Sequence, residues 1–458
     1  MKRLALVFPR FRYPSGDPPL GVGYLASAVR AWTDWEVDVI DTTYYRDPAK
    51  DMEERIERGG FDVVGISFMT PMIREAALAA QAAKRRNSKT LVVAGGPHPT
   101  VVPDHVLGDR NFDMVVAGEG EVTLTELLKR GGDPVGLPGL AYRGPDGIVR
   151  RQPRDSVMDD LDALPFPAFD LFDMDAYFRS WFLMDTVASG LRGTSLLASR
   201  GCPYQCAYCQ PTLEALFGKK IRKRSPQNII GELRALKQRY GLNAFALQDD
   251  TFLIDKGWAR AFSAALAGSG LGMIFECNIR SNLADAAVLA GMKDAGLRKV
   301  NIGIESANQR ILDRIFQKGI TWADVTRAVA TCRRLGLRIM GYFMLGAPSE
   351  TQAEAMKTIS AAVRLDLDEA TFSITTPLPG TFLYDRTRQE IVKGFASYDY
   401  YSTSVYRPGF TLGGRKILWL KRWALIRFYL GPERIVRTLK LVLDPRSILK
   451  TIAKLKRF

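Results

Sequence analysis

Twice along its 458 residues the chain alternates short unbroken apolar runs with amphipathic stretches, which confines it to parallel sheets covered by helices. The first series runs LALVF (4–8), VDVI (37–40), VVGISF (63–68), LVVAG (91–95) and MVVAG (114–118). Leu20–Ala31, Pro71–Arg85 and Glu121–Lys129 carry helical spacing between them. Together they predict a doubly wound, Rossmann-like α/β domain over residues 1–135, binding ligands at the carboxyl ends of its strands. Residues 136–190, rich in Pro, Gly and Asp, read as a connector with a small hairpin, LAYRGPDGIVRRQ. A second series follows over 191–400: SLLASR (195–200), AFALQD (244–249), MIFECNIR (273–280), VNIGIE (300–305), IMGYFML (339–345) and ATFSIT (370–375). Six such strands with helices between them predict a partial β/α barrel. Among those helices, one starts at Ser225-Pro226 and stops at Gly241, a cap, a first-turn proline and a terminal glycine in order.

Charge separates the remainder. The chain carries +15, but residues 401–458 hold 14 Lys and Arg against Glu433 and Asp444, so +12 of it lies in this tail. The tail reads as helical, with cap signals at Gly431-Pro432 and Asp444-Pro445. A charge confined to one end argues against nucleic acid as a general partner and for a local surface role. The apolar fraction, 47%, is that of a folded protein. No run of 18 uncharged apolar residues suggests a membrane-spanning helix. The N-terminus lacks the pattern of a cleaved signal peptide, so a cytoplasmic protein is expected.

Three of the five cysteines, Cys202, Cys206 and Cys209, stand within SRGCPYQCAYCQ, directly after a strand. Such spacing does not build a disulfide framework; it suits a metal in a reducing compartment. A short loop can wrap three thiolates around one 4Fe–4S cube and leave the fourth iron open to a small chelating ligand. Zinc would ask for a fourth Cys or His nearby. Cys277 and Cys332 fall in strand and helix patterns, as buried apolar residues do.

The spacing C-x3-C-x-Y-C, with Tyr208 in the aromatic slot, resembles the signature of the radical S-adenosylmethionine (SAM) superfamily. Later segments resemble it in order and position: QDDTF (248–252), NIR (278–280), GIES (303–306) and GYFMLGAPSE (341–350). The resemblance covers residues 190–400. It implies Cys202, Cys206 and Cys209 as cluster ligands and Tyr208, Asp249, Asp250, Arg280 and Glu305 as SAM-side residues.

The first domain resembles the cobalamin-binding class of that superfamily, through DPPLGVGYLAS (17–27), GGPHPTVVPD (95–104) and VVAGEGEVTLTELL (115–128). Gly95 and Gly96 would let backbone approach a bulky ligand. Gly118, Glu119 and Gly120 open the next helix, and Ser67 and Thr70 end the third strand where a cofactor tail would arrive. His98 is a candidate neighbour of the cofactor. No His precedes it, so the D-x-H-x-x-G lower-ligand motif of many cobalamin proteins is missing. Asp104-His105-Val106-Leu107-Gly108 follows the wrong strand. A dinucleotide fingerprint is imitated by Gly21, Gly23 and Asp41, but a long loop separates the glycines from the strand they should follow.

Taken together the resemblance implies three cofactors: a 4Fe–4S cluster, SAM and cobalamin. It implies reductive cleavage of SAM to a 5′-deoxyadenosyl radical, hydrogen abstraction from an unactivated carbon, and methyl transfer from methylcobalamin. Oxidative cyclisation or ring rearrangement is the alternative outcome within the class. A non-catalytic cobalamin sensor would need no cysteine triad. Expected partners are a small-molecule substrate and an electron donor such as flavodoxin or ferredoxin. RKILWLKRWALIRFYL (415–430) and the spacing of Ile448, Ile452 and Leu455 against Lys450, Lys454 and Arg457 suggest a helical tail lying on the inner membrane face. Such contact would fit a lipid-like or otherwise apolar substrate.

Overall fold

The computed structural model describes residues 2–153, 157–399, 401–431 and 434–435. The chain forms two compact units, Met1–Tyr177 with Pro211–Arg222, and Phe178–Gln210 with the chain from Lys223 onward.

In the first unit β1 (Arg3–Phe8), β2 (Glu36–Asp41), β3 (Val63–Ser67), β4 (Leu91–Gly95), β5 (Met114–Val116), β6 (Leu140–Arg143) and β7 (Val149–Arg151) form one sheet in the order 2-1-3-4-5-6-7. The first five are parallel. Leu4, Ala5, Val7, Val92 and Ala94 are wholly buried, as continuous apolar strands between two helical layers must be. The order reverses at β1, between β2 and β3, and such switch points open a crevice at the strands' carboxyl ends. The hairpin expected in a connector instead extends this sheet, β6 pairing antiparallel with β5. Later residues also stay with the first unit. Ala168 N–H donates to Gly23 carbonyl at 3.0 Å, and Tyr177 hydroxyl donates to Asp41 and, at 3.2 Å, to Thr43.

In the second unit β8 (Gly193–Leu196) leads and the two-residue β9 (Ser199–Arg200) stands before the cysteine loop; β10 (Arg222–Lys223) lies where the chain passes from the first unit back to the second. Then come β11 (Ala244–Leu247), β12 (Ile274–Ile279), β13 (Leu297–Glu305), β14 (Arg338–Leu345) and β15 (Glu369–Ile374). The large sheet keeps the order 15-14-13-12-11-8 and is parallel throughout, the partial barrel expected from alternation. Ser225 caps the helix Pro226–Tyr240 by accepting from Asn228 N–H, and Gly241 ends it in the left-handed conformation.

The ring of Phe275 meets Phe262 of the helix Lys256–Gly268. Its neighbours Glu276 and Asn278 therefore face the opposite, interior side. There they stand level with Lys299 and Asn301. Lys299 bridges Glu276 at 3.2 Å and Glu369 at 2.7 Å, while Thr186 hydroxyl donates to Glu369 at 2.7 Å. Burial pushes the Lys299 ammonium down, but the two carboxylates outweigh it and its pKa rises. Trp181 and Met184 pack on Ala244 and Ala246 of the same face, and a Cβ at Gly193 would fall 2.4 Å from the Trp181 ring. The segment around Trp181 thus closes the lower part of the barrel interior.

The helix Gly414–Tyr429 packs Ile417, Leu420, Ala424 and Phe428 inward, and Tyr429 hydroxyl donates to Ala370 carbonyl of β15 at 3.0 Å. The Asp444-Pro445 cap signal and the amphipathic stretch from Ile448 to Arg457 lie outside the described residues. Among the described residues no helix is long and apolar enough to cross a membrane.

Candidate cofactor sites

At the carboxyl ends of the first sheet, glycines make a narrow slot. Its walls include Gly65, Ser67, Gly95, Gly96, Gly118 and Gly120, with Val22 and Leu25 opposite. Gly96 has φ +90°, and a Cβ there would sit 3.0 Å from the backbone N and O of Phe68 and from Ser67 Oγ. Gly118 has φ +80° and donates its N–H to Thr100 Oγ1 at 2.9 Å. A Cβ at Gly120 would press within 3.0 Å of Leu25. The narrow, largely apolar slot suits an extended arm of a large cofactor, because backbone forms the wall where side chains would fill it.

Three other expected contacts are directed elsewhere. His98 is buried, with Nδ1 3.1 Å from Thr70 Oγ1 and Nε2 3.2 Å from His105 Nδ1, and neither Thr70 nor His98 lines the slot. Burial, with a smaller contribution from His105, pushes the His98 imidazole down to about 3, so it is neutral. Glu119 is held by Arg222 through two bonds of 2.8 and 2.9 Å, both side chains buried. Arg222 also donates to Met158 and Phe217 carbonyls, so Glu119 ties Pro211–Arg222 into the first unit. The imitation dinucleotide fingerprint is also accounted for. Gly21 and Gly23 lie inside the helix Leu20–Trp32, and a Cβ at Gly23 would meet Pro167 at 3.0 Å.

In the second unit the cysteine loop is clamped at several points. Cys206 carbonyl accepts from Cys209 N–H at 3.0 Å and Gln210 N–H at 2.9 Å. Ala207 N–H donates to Phe316 carbonyl, while its carbonyl accepts from Leu383 N–H. Gln210 Nε2 donates to Cys202 carbonyl at 3.0 Å. All three cysteines are free thiols. Cys202 Sγ lies 3.2 Å from Thr251 Oγ1, and Arg280 Nη1 donates to Cys206 Sγ at 3.4 Å. Burial pushes the thiols of Cys202 and Cys209 up, so both need a neighbouring positive charge, such as bound iron, to become thiolates. An iron–sulfur cube takes its thiolates on separate irons, so this donor set fits it.

Around the loop the expected SAM-side residues divide. Asp249 is buried and spends its carboxylate on Ala198 N–H at 3.1 Å and on Ser199 N–H and hydroxyl; it ties two strand ends together. Asp250 is solvent-accessible, and its charge is felt at Cys202 and Cys209. Partial removal from solvent pushes its carboxyl up to about 6. Glu305 ends β13 with φ +64°, a conformation that costs a non-glycine residue energy and recurs at functional sites. Its Oε1 accepts from Lys318 Nζ at 2.8 Å and Tyr208 hydroxyl at 3.2 Å, and Lys318 donates to Tyr208 at 2.9 Å. Lys318 and Thr251 were not singled out by the sequence. Lys318 belongs to no motif, and Thr251, although inside QDDTF (248–252), reaches Cys202 only through folding.

The B12 binding domain family matches residues 15–128 and the Radical SAM superfamily matches residues 196–362. An uncharacterised methyltransferase of Pyrococcus horikoshii is 35% identical over 427 residues, covering 92% of this chain and 89% of the relative. An anaerobic magnesium-protoporphyrin IX monomethyl ester cyclase of Rubrivivax gelatinosus is 27% identical, covering 85% and 70%. The solved radical SAM methyltransferase TsrM from Kitasatospora setae, bound to cobalamin and a 4Fe–4S cluster, shares the fold with a TM-score of 0.69 at 22% identity. That match covers 85% of this chain and 78% of TsrM. The chain belongs to the cobalamin-dependent radical SAM methyltransferase family, whose cofactors are a 4Fe–4S cluster, SAM and cobalamin.

Proposed function

We propose that this chain methylates an unactivated carbon of a small molecule. Two built sites on one chain carry the reading: the glycine slot of the first unit and the clamped three-cysteine loop of the second. When bound, the cluster supplies the electron that cleaves SAM, and cobalamin supplies the methyl group. Cys202, Cys206 and Cys209 hold the cluster. Asp250 receives the ammonium end of SAM, and Glu305, held by Lys318 and Tyr208, lies beside the cluster loop. Gly95, Gly96, Gly118, Gly120 and Ser67 receive cobalamin. A low-potential flavodoxin or ferredoxin delivers the electron. Hydrogen abstraction by a radical needs no side-chain acid or base, so the enzyme's work is to hold reactants in order and keep out competing hydrogen donors.

The open part of the barrel's interior face bears Gln248 and Asn278, both partly exposed, which favours a substrate with polar groups over a hydrocarbon. The test is incubation of the anaerobically reconstituted enzyme with cobalamin, SAM and cell extract. A product heavier than its precursor by one methylene unit supports methyl transfer. Product formation with any other mass change favours the cyclising or rearranging alternative.

One surface supports a second reading, peripheral contact with an acidic membrane. Trp419, Trp423, Ile426 and Leu430 form an exposed stripe on the helix Gly414–Tyr429 and just beyond it, and the two tryptophans stack with ring centroids 6.0 Å apart. Arg415, Lys416, Arg422 and Arg427 are exposed around it. Aromatic groups beside cations suit the lipid headgroup boundary, where each basic residue contributes roughly 1 kcal/mol.

A further inference from the structure

Arg280, expected beside SAM, stands instead against a cluster ligand. The residue is buried, 7% exposed. Nη1 donates to Cys206 Sγ at 3.4 Å, Nη2 donates to Lys318 carbonyl, and Nε donates to Asn282 Oδ1 at 3.3 Å. The plane lies over the ring of Tyr204 at 3.6 Å. Among the described residues no carboxylate forms an ion pair with it, although Asp249, Asp250, Glu276 and Glu305 all belong to the same unit. A buried cation without an anion costs several kcal/mol. The neutral carbonyl, amide and ring hold the guanidinium in place but do not cancel its charge. Among these partners the sulfur of Cys206 is the one that carries negative charge when it ligates iron.

We infer that Arg280 sets the reduction potential of the cluster, and this rests on Cys206 being one of its ligands. Reduction adds one electron, taken from the external donor, and so one negative charge to the cluster. A fixed positive charge hydrogen-bonded to a ligand sulfur stabilises that reduced form and raises the midpoint potential. The bond also withdraws electron density from the thiolate, which acts in the same direction. Asn282 and Lys318 carbonyl aim the guanidinium, and Tyr204 fixes its plane.

The test is a dithionite titration of the reconstituted full-length protein, followed by electron paramagnetic resonance of the reduced cluster in the absence of SAM. Arg280→Gln should retain four irons and move the midpoint to more negative potential. Arg280→Lys, which keeps the charge, should stay nearer the wild type. Tyr204→Leu should shift the midpoint in the same direction as Gln but by less, and it serves if Arg280→Gln binds no iron. An unchanged midpoint in iron-replete Arg280→Gln, or in iron-replete Tyr204→Leu where the Gln variant binds no iron, overturns the inference. Weakened SAM binding with an unchanged midpoint would return Arg280 to the SAM side. Absence of any cluster in the wild-type protein would instead defeat the cofactor assignment on which the inference stands.

Discussion

Lys318 and Glu305 form a buried ion pair, Nζ to Oε1 at 2.8 Å, with the hydroxyl of Tyr208 bonded to both. Thirteen residues apart in sequence, they fix the aromatic residue of the cysteine motif from behind. Removing one partner strands the other charge in a dry site, so Lys318→Met and Glu305→Gln should each cost about 3–5 kcal/mol. Tyr208→Phe removes one bond accepted from Lys318 and one donated to Glu305 but leaves the ion pair intact, so it should cost about 1.5–3 kcal/mol. Denaturant unfolding of the second unit's transition measures all three. Equal, small losses in the three variants would contradict a paired core here.

The glycine slot makes a prediction about cobalamin that separates it from the histidines. Gly96→Val combines a strained φ with contact to Phe68 backbone, so it should abolish cobalamin absorbance in the reconstituted protein. His98→Ala should bind the cofactor and leave the cobalt resonance unchanged, because both ring nitrogens already have partners inside the domain. A protein nitrogen splitting that disappears in His98→Ala would identify a cobalt ligand and refute this placement.

Glu350 supplies a pH dependence at the turn that follows β14. Its Oε2 accepts from Gly346 N–H at 2.5 Å and Ala347 N–H at 3.2 Å, closing the turn after β14. Burial, opposed by those bonds, pushes its carboxyl up to about 7. A raised carboxyl favours the folded state while protonated. The contribution is therefore complete below the ordinary Glu value of about 4.3 and is lost as pH rises through 7. Glu350→Gln should flatten the melting temperature between those limits. An identical pH profile in the variant would show that Glu350 does not titrate in this range.

The exposed tryptophan stripe is tested with vesicles of increasing anionic lipid content. Truncating the tail would remove Ile417, Leu420 and Phe428 and uncover the surface they pack against, so surface substitution is the cleaner variant. Trp419→Ser with Trp423→Ser should lower co-sedimentation with acidic vesicles several-fold and leave neutral vesicles unaffected. Equal binding by both proteins, or none by either, would remove the membrane reading.

Elements carrying a local signal were legible in the sequence. Buried strands announced themselves as apolar runs, the helix Pro226–Tyr240 by its cap and terminal glycine, and the cysteine loop by its spacing. Partnerships formed across the fold were hidden. Glu119 looked like a loop residue facing a cofactor because Arg222, its partner, lies 103 residues away. Arg280 sat in a segment similar to SAM-binding ones, and its contact with Cys206, 74 residues upstream, forms only in the fold. The hairpin β6–β7 looked like linker because Gly and Pro dominate its turn. Only the free edge of β5 makes it part of the sheet.

The central claim is that Cys202, Cys206 and Cys209 hold a cluster that cleaves SAM, and iron content with 5′-deoxyadenosine formation tests it most directly. The wild-type protein, reconstituted without oxygen, should be brown, carry about four irons per chain and release 5′-deoxyadenosine from SAM on reduction. Replacing all three cysteines with alanine should remove colour, iron and product together. Continued SAM cleavage by that triple variant would contradict the account.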